Sequence, residues 1–282
     1  MYRIIKKGFE RGLQQWRIAA IVYCIQLFLV LTFGMQVYDV LKASIGRSLE
    51  INKLVEGYDH TVIMDFIKVH GASITPLLGQ LRWMLLVWLL FSVFSNGGLL
   101  YCAVQTKLVT SRVFWQGGAA IFFPFLTISL FFLFLLLVWS GIVWMPVVVL
   151  IEPMLAFFPS EKYIVWLILV LLFIWLLGLG MLFIWSVVSR VGYLRKGESV
   201  KISMVEGWHV LGRQKKDFWG LLVFFEGLKA LLLVGYFLLD AMVDVRSSGI
   251  VFWLFMLQQA VVFGKVLVRQ MVYASIGLKV GV

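Results

Sequence analysis

Histidine, cysteine and acidic side chains are scarce in this chain. Its 282 residues hold three His, two Cys, and 14 Asp and Glu together. A zinc-type centre needs closely spaced ligands, yet His60 and His70 stand ten residues apart, with no HxH or HxxxH pair. The third histidine, His209, belongs to a segment that the topology below puts on the other membrane face. Cys24 and Cys102 both fall inside apolar runs, which excludes a disulfide framework and implies buried, inert thiols. There is no Walker-type phosphate loop, GxSxG elbow, HExxH helix or haem-type ligand pair. No metal and no cofactor are implied. The basic residues do not interleave with aromatics in a way that would bind nucleic acid.

Charge of either sign is also thin. Charged residues make up 14% of the chain and hydrophobic ones 62%, against about 25% and about 45–50% in soluble domains. Mean hydropathy is +0.98. These values exclude an ordinary soluble domain and imply an all-α integral membrane protein. A spanning helix needs about 20 apolar residues, and six stretches qualify: 18–38, 81–105, 119–150, 163–189, 218–240 and 249–275. The third is long enough to tilt or break near Pro124 or Pro146. No cleavable signal peptide is expected. The first apolar run follows 17 residues with five Lys and Arg, is long enough to span, and lacks a small-residue cleavage site.

The basic residues set the orientation. With the N-terminus inside, sixteen Lys and Arg fall in inner segments and six in outer ones, while nine acids are outer. Both termini are therefore expected in the cytoplasm, as an even span count requires. The organisation is a single membrane domain over 1–282. It has an inner amphipathic helix at 1–17, an extracytoplasmic cap at 39–79 and a cytoplasmic linker at 190–217. Neither soluble piece is long enough to house a catalytic domain.

The most polar outer stretch, "EGYDHTVIMDFIKVHG", reads as an amphipathic helix at the outer surface. Val62, Ile63, Phe66 and Ile67 fall near one face, with His70 alongside, and Asp65 and Lys68 on the other. Asp59 or Thr61 serves as N-cap and Gly71 as the C-terminal stop. If this cap binds anything, Tyr58, Asp59 and Asp65 are its contact points. The enzymatic alternative places a site around Asp59, His60 and Asp65.

On the inner side a loose repeat recurs. "GGLLYCAVQTKLVTSRVFWQGG" and "VGYLRKGESVKISMVEGWHVLGRQKKDFWG" each leave a span through a Tyr, cross a basic amphipathic stretch and re-enter at Phe-Trp. The N-terminal "YRIIKKGFERGLQQWR" has the same character, with Ile5, Phe9, Leu13 and Trp16 on one side. Short helices on the inner leaflet are expected, with basic heads toward anionic lipid and aromatics at headgroup level. Trp208, Arg213, Lys215 and Lys216 are the candidates for docking a cytoplasmic protein partner.

The pattern "FSNGGLLYCAVQ", a basic linker, then "FWQGGAAIFF", followed by a second similar hairpin, resembles the six-helix membrane-domain superfamily found beside glycerophosphodiester phosphodiesterases. That resemblance implies a six-helix bundle without catalytic residues, because in that family catalysis belongs to an attached soluble domain.

Polar residues within the spans are costly in hydrocarbon and invite a functional reading. Glu226 and Lys229 share one face of the fifth span, and Gln258, Gln259, Lys265 and Arg269 stripe the sixth. Glu226, Lys229, Lys265 and Arg269 are expected to form one buried cluster, either stapling helices or lining a polar pathway. Asn96 and Gln26 are candidates for interhelical hydrogen bonds. Two functional classes stay open. One is a non-enzymatic transport or scaffold component of a bacterial inner membrane, handling lipid or a small amphiphile or docking a partner. The other is the outer-face enzyme.

Overall fold

The computed structural model describes residues 1–45, 60–105, 109–157, 161–197, 199–243 and 248–280. Every regular element among them is a helix: α1 Tyr2–Gln14, α2 Trp16–Ile45, α3 His60–Val104, α4 Ser111–Ala120, α5 Phe122–Phe157, α6 Glu161–Lys196, α7 Val200–Arg213, α8 Lys215–Met242 and α9 Ser248–Val280. Six stretches in these helices are long and apolar enough to cross a membrane: Trp16–Val40, Gly79–Val104, Phe122–Val149, Lys162–Lys196, Lys215–Met242 and Gly249–Val280. The six expected spans are thus present, with α6 and α9 running further into the basic segments than their apolar stretches do.

Two local expectations are corrected. Gly71 does not stop a surface helix, because α3 runs unbroken from His60 through Gly71 and Pro76 to Val104. An internal Gly costs a helix about 1 kcal/mol relative to Ala, which a long apolar continuation overrides. Nor does the third span break at proline. Pro124 sits in the first turn of α5, where its missing N–H leaves no bond unmade, and the helix continues through Pro146. Cys24 is exposed rather than buried, whereas Cys102 is buried.

The chain divides into two compact units. One is Ala20–Ser92, which takes most of α2 and the first part of α3. Its described apolar side chains, among them Phe28, Met35, Trp83 and Trp88, are largely exposed.

The other unit, Met1–Ala19 with Val93–Val282, contains the core. Within it α1 packs on α9, α5 on α6, α6 on α7, α8 on α9 and α6 on α9. Three times a short helix leads into a span through a one-residue corner: α1 at Gln15 (φ −100°, ψ 20°), α4 at Ile121 (φ −105°, ψ 7°) and α7 at Gln214 (φ −122°, ψ 31°). The hydrogen-bond ladder survives each corner. The N–H groups of Gln15, Ile121 and Gln214 donate to Arg11, Gly117 and Val210, each at 3.2 Å.

Each short helix also lies against the final turns of a span, and glycine permits the approach. A Cβ on Gly8 of α1 would collide with the Ser275 side chain and come within 3.1 Å of its Cα on α9. One on Gly207 of α7 would meet Ser189 Oγ at 2.5 Å and its Cα at 3.1 Å on α6. In α4, Gly118 faces Phe94 (2.9 Å), while Gly98 on α3 faces Phe114 (2.6 Å). The fully buried side chains of this unit gather at this linker end: Leu99 and Leu100 on α3, Phe114, Phe125 and Ile128, Ile184 and Val187 on α6, Leu211, and Phe218 and Phe225 on α8.

Candidate functional site

The expected cluster of Glu226, Lys229, Lys265 and Arg269 does not assemble. Lys229 Nζ donates to Glu226 Oε1 at 2.6 Å, a pair one turn apart on α8. Its side chains are 23% and 48% exposed, respectively. Arg269 turns elsewhere: its guanidinium donates to Asn96 Oδ1 of α3 at 3.3 Å. Neither Arg269 nor Lys265 is hydrogen-bonded or ion-paired to Glu226 among the described residues. The reason is geometric. A three-residue spacing closes the Glu226–Lys229 pair within its own helix, so no demand is left for a cation from α9.

A different polar cluster occupies the linker end. Asn96 Oδ1 also accepts from the Tyr273 hydroxyl of α9 at 3.2 Å. On α6, Arg190 donates to Ser129 Oγ of α5 at 3.0 Å and lies over the Phe125 ring, 5.6 Å from its centroid. Its Nε is buried and has no hydrogen-bond partner. Arg190 is also within electrostatic reach of Tyr273. Arg190 and Ser129 thus tie α6 to α5, and Arg269 and Tyr273 tie α9 to Asn96 of α3. Beside them Gln270 Nε2 donates to Gln15 Oε1 (2.8 Å), and Gln15 Nε2 donates to the Cys102 carbonyl (3.2 Å). The first corner is thereby tied to α9 and α3.

The acceptors facing the two guanidiniums are a hydroxyl and an amide. No carboxylate is hydrogen-bonded or ion-paired to Arg190 or Arg269 among the described residues. Acids near the other cations are already committed: Glu206 to Lys196, Asp217 to Lys279 (2.5 Å) and Glu226 to Lys229.

Sequence reasoning missed Arg190 by counting it among the inner anchoring charges. The available signal was the apolar "VGYL" that follows it, one residue past the fourth apolar stretch. Tyr273 carried no distinguishing signal in the sequence. Asn96 was singled out correctly as an interhelical bonding residue.

The partner-docking candidates lie on α7 and its corner. Arg213, Lys215 and Lys216 are exposed around Gln214. Trp208 is part-exposed and tilts against Trp185 with ring centroids 4.8 Å apart. Tyr58 and Asp59 lie outside the described residues, as do the side chains of His60 and Asp65 in α3.

An apolar groove of about 280 Å³ opens between α5, α6 and α7. Trp139, Ile142, Gly178, Leu182, Trp185 and Trp208 line it. The close fit of Gly178 against the Trp139 indole shapes one wall, and Trp139 Nε1 donates to the Trp175 carbonyl at 3.2 Å.

Compared with known proteins, the chain matches no family model, no curated protein and no solved structure.

Proposed function

We propose that this chain is a non-enzymatic transport or scaffold component of a bacterial inner membrane that holds a lipid or small amphiphile. Its termini and the short helices α1, α4 and α7 face the cytoplasm. The orientation rests on the excess of basic residues in the segments at that end. The short helices lie along the inner leaflet with Phe9, Leu13 and Trp208 toward lipid, a role supported by their exposure. The exposed basic corner of Arg213, Lys215 and Lys216 is where anionic lipid or a cytoplasmic partner would dock. The resemblance to the membrane domains beside glycerophosphodiester phosphodiesterases fits a bundle whose own residues do no chemistry.

The observation that carries the reading is the apolar groove between α5, α6 and α7. Its walls are indole and aliphatic side chains, which suit an acyl chain and offer nothing to a polar substrate.

The test is native mass spectrometry of the protein extracted in its own lipid patch. Leu182→Trp fills the groove, and Leu231→Trp, on an exposed face of α8, is the control. Loss of a co-extracted lipid in the first variant alone is the expected result. Equal lipid retention in both variants would refute the reading.

A further inference from the structure

We infer that Arg190 and Arg269, with Ser129, Asn96 and Tyr273, form a binding site for a phosphate-type anion. The ligand is a phosphate monoester or diester, carried by a lipid headgroup or by a small soluble molecule. In its lipid form the inference rests on the amphiphile-handling function above and names the headgroup chemistry.

Three observations converge. First, the two guanidiniums stand on helices that pack together, α6 and α9: Arg269 bonds Asn96, which also accepts from Tyr273, and Arg190 lies within electrostatic reach of that tyrosine, while no carboxylate among the described residues is bonded to either arginine. Elsewhere the described acids Glu206, Asp217 and Glu226 are each matched to a lysine, so none of these three is left to neutralise either guanidinium. Second, Arg190 is only half satisfied. One terminal nitrogen donates to Ser129 Oγ at 3.0 Å, yet Nε is buried with no partner. Nε and a terminal N–H make up the edge with which arginine grips two phosphate oxygens at once. Third, the packing holds the fork in place. The guanidinium lies over Phe125, which also meets Tyr193 edge-on at 6.4 Å.

An arginine serving only as a helix staple would need its Ser129 bond and a positive charge, and lysine supplies both. A phosphate site needs the fork. Arg190→Lys is therefore the discriminating change, alongside Arg190→Gln and Arg269→Gln.

The experiment places the full chain in phosphatidylcholine nanodiscs doped with phosphatidylglycerol and counts retained anionic lipid by native mass spectrometry. A parallel titration with inorganic phosphate in pure phosphatidylcholine discs is read by calorimetry. Wild type should retain phosphatidylglycerol above its bulk fraction, bind phosphate, or do both. Each arginine variant, lysine included, should weaken this about tenfold or more. Retention of lipid unaffected by phosphate assigns a headgroup site, and displacement by phosphate assigns a soluble ligand.

Equal retention and equal phosphate binding in wild type and all three folded variants would overturn the inference. Full function of Arg190→Lys with loss in Arg190→Gln would reduce Arg190 to a charge-bearing staple and overturn it too. If the glutamine variants fail to fold, wild type alone decides, because neither enrichment of the anionic lipid nor binding of phosphate would leave nothing for the site to hold. Leu182→Trp separates this from the groove. Lipid loss that tracks the arginines but not the groove removes the acyl-chain reading and keeps the anion site.

Discussion

The two halves of the spans in the larger unit are built from the same residues and do different things. Toward the linkers, Phe114, Phe125, Ile184, Leu211 and Phe225 are sealed among neighbours. Away from them, Val148, Trp166, Phe173, Leu231 and Trp253 stand exposed. Hydrophobicity does not separate the groups, since lipid tails are as apolar as leucine and give spans no reason to bury one face over another. What separates them is the close-approach residues. Gly8, Gly207, Gly98 and Gly118 let the short helices α1, α7 and α4 lie tightly on the ends of α9, α6 and α3. A packed core in this protein marks where small residues and polar ties permit contact.

The largest effect expected from that contrast falls on two neighbours. Phe225 is 0% exposed and Phe224 is 45% exposed, with their rings in edge contact at 5.2 Å. Phe225→Ala should cost about 3–5 kcal/mol, as a cavity in a closed core does. Phe224→Ala should cost under about 1 kcal/mol, because lipid refills the space. Thermal unfolding in nanodiscs, followed by tryptophan fluorescence, measures both. Equal losses would mean that the linker end is not a closed core on one face of α8 and lipid-facing on the other.

Glycine sharpens the same comparison. Gly207→Val would push a side chain against Ser189, whose Cα would lie only 3.1 Å from the new Cβ, and should cost about 1–3 kcal/mol. Gly227 on α8 has open space around it, so Gly227→Val should change stability by less than about 0.5 kcal/mol. Limited proteolysis at the α7–α8 corner gives a second readout, since a lifted α7 exposes the chain around Gln214.

How much of this was legible in the sequence follows from the range of each interaction. The spans were, because about 20 apolar residues in a row declare themselves without reference to any neighbour. Their ends were less so. The apolar stretch of the fourth span stops near 189, yet α6 continues to Lys196, because a helix does not end where hydrophobicity does. Gly71 misled for the same reason, as a local stop signal inside a longer helix. The Glu226–Lys229 pair could be read from a three-residue spacing. The bonds of Arg269 to Asn96 and of Arg190 to Ser129 could not, since their partners stand far apart in the chain and only helix packing brings them together. Arg190 looked like one more inner anchor because position in the chain does not say which way a side chain faces.

The smallest expected effect concerns the residue that the sequence singled out most strongly. Glu226 and Lys229 neutralise each other on the surface of α8, at 2.6 Å and with part of both side chains exposed. A pair that is complete within one helix contributes about 0.2–0.5 kcal/mol and ties nothing to a neighbouring span. Glu226→Gln should therefore leave the unfolding midpoint and the retention of anionic lipid unchanged, whereas Arg269→Gln lowers that retention. A large loss of stability or of lipid in Glu226→Gln would show that this pair serves the bundle interior after all. The contrast between a self-contained surface pair and two unanswered arginines between helices would then collapse.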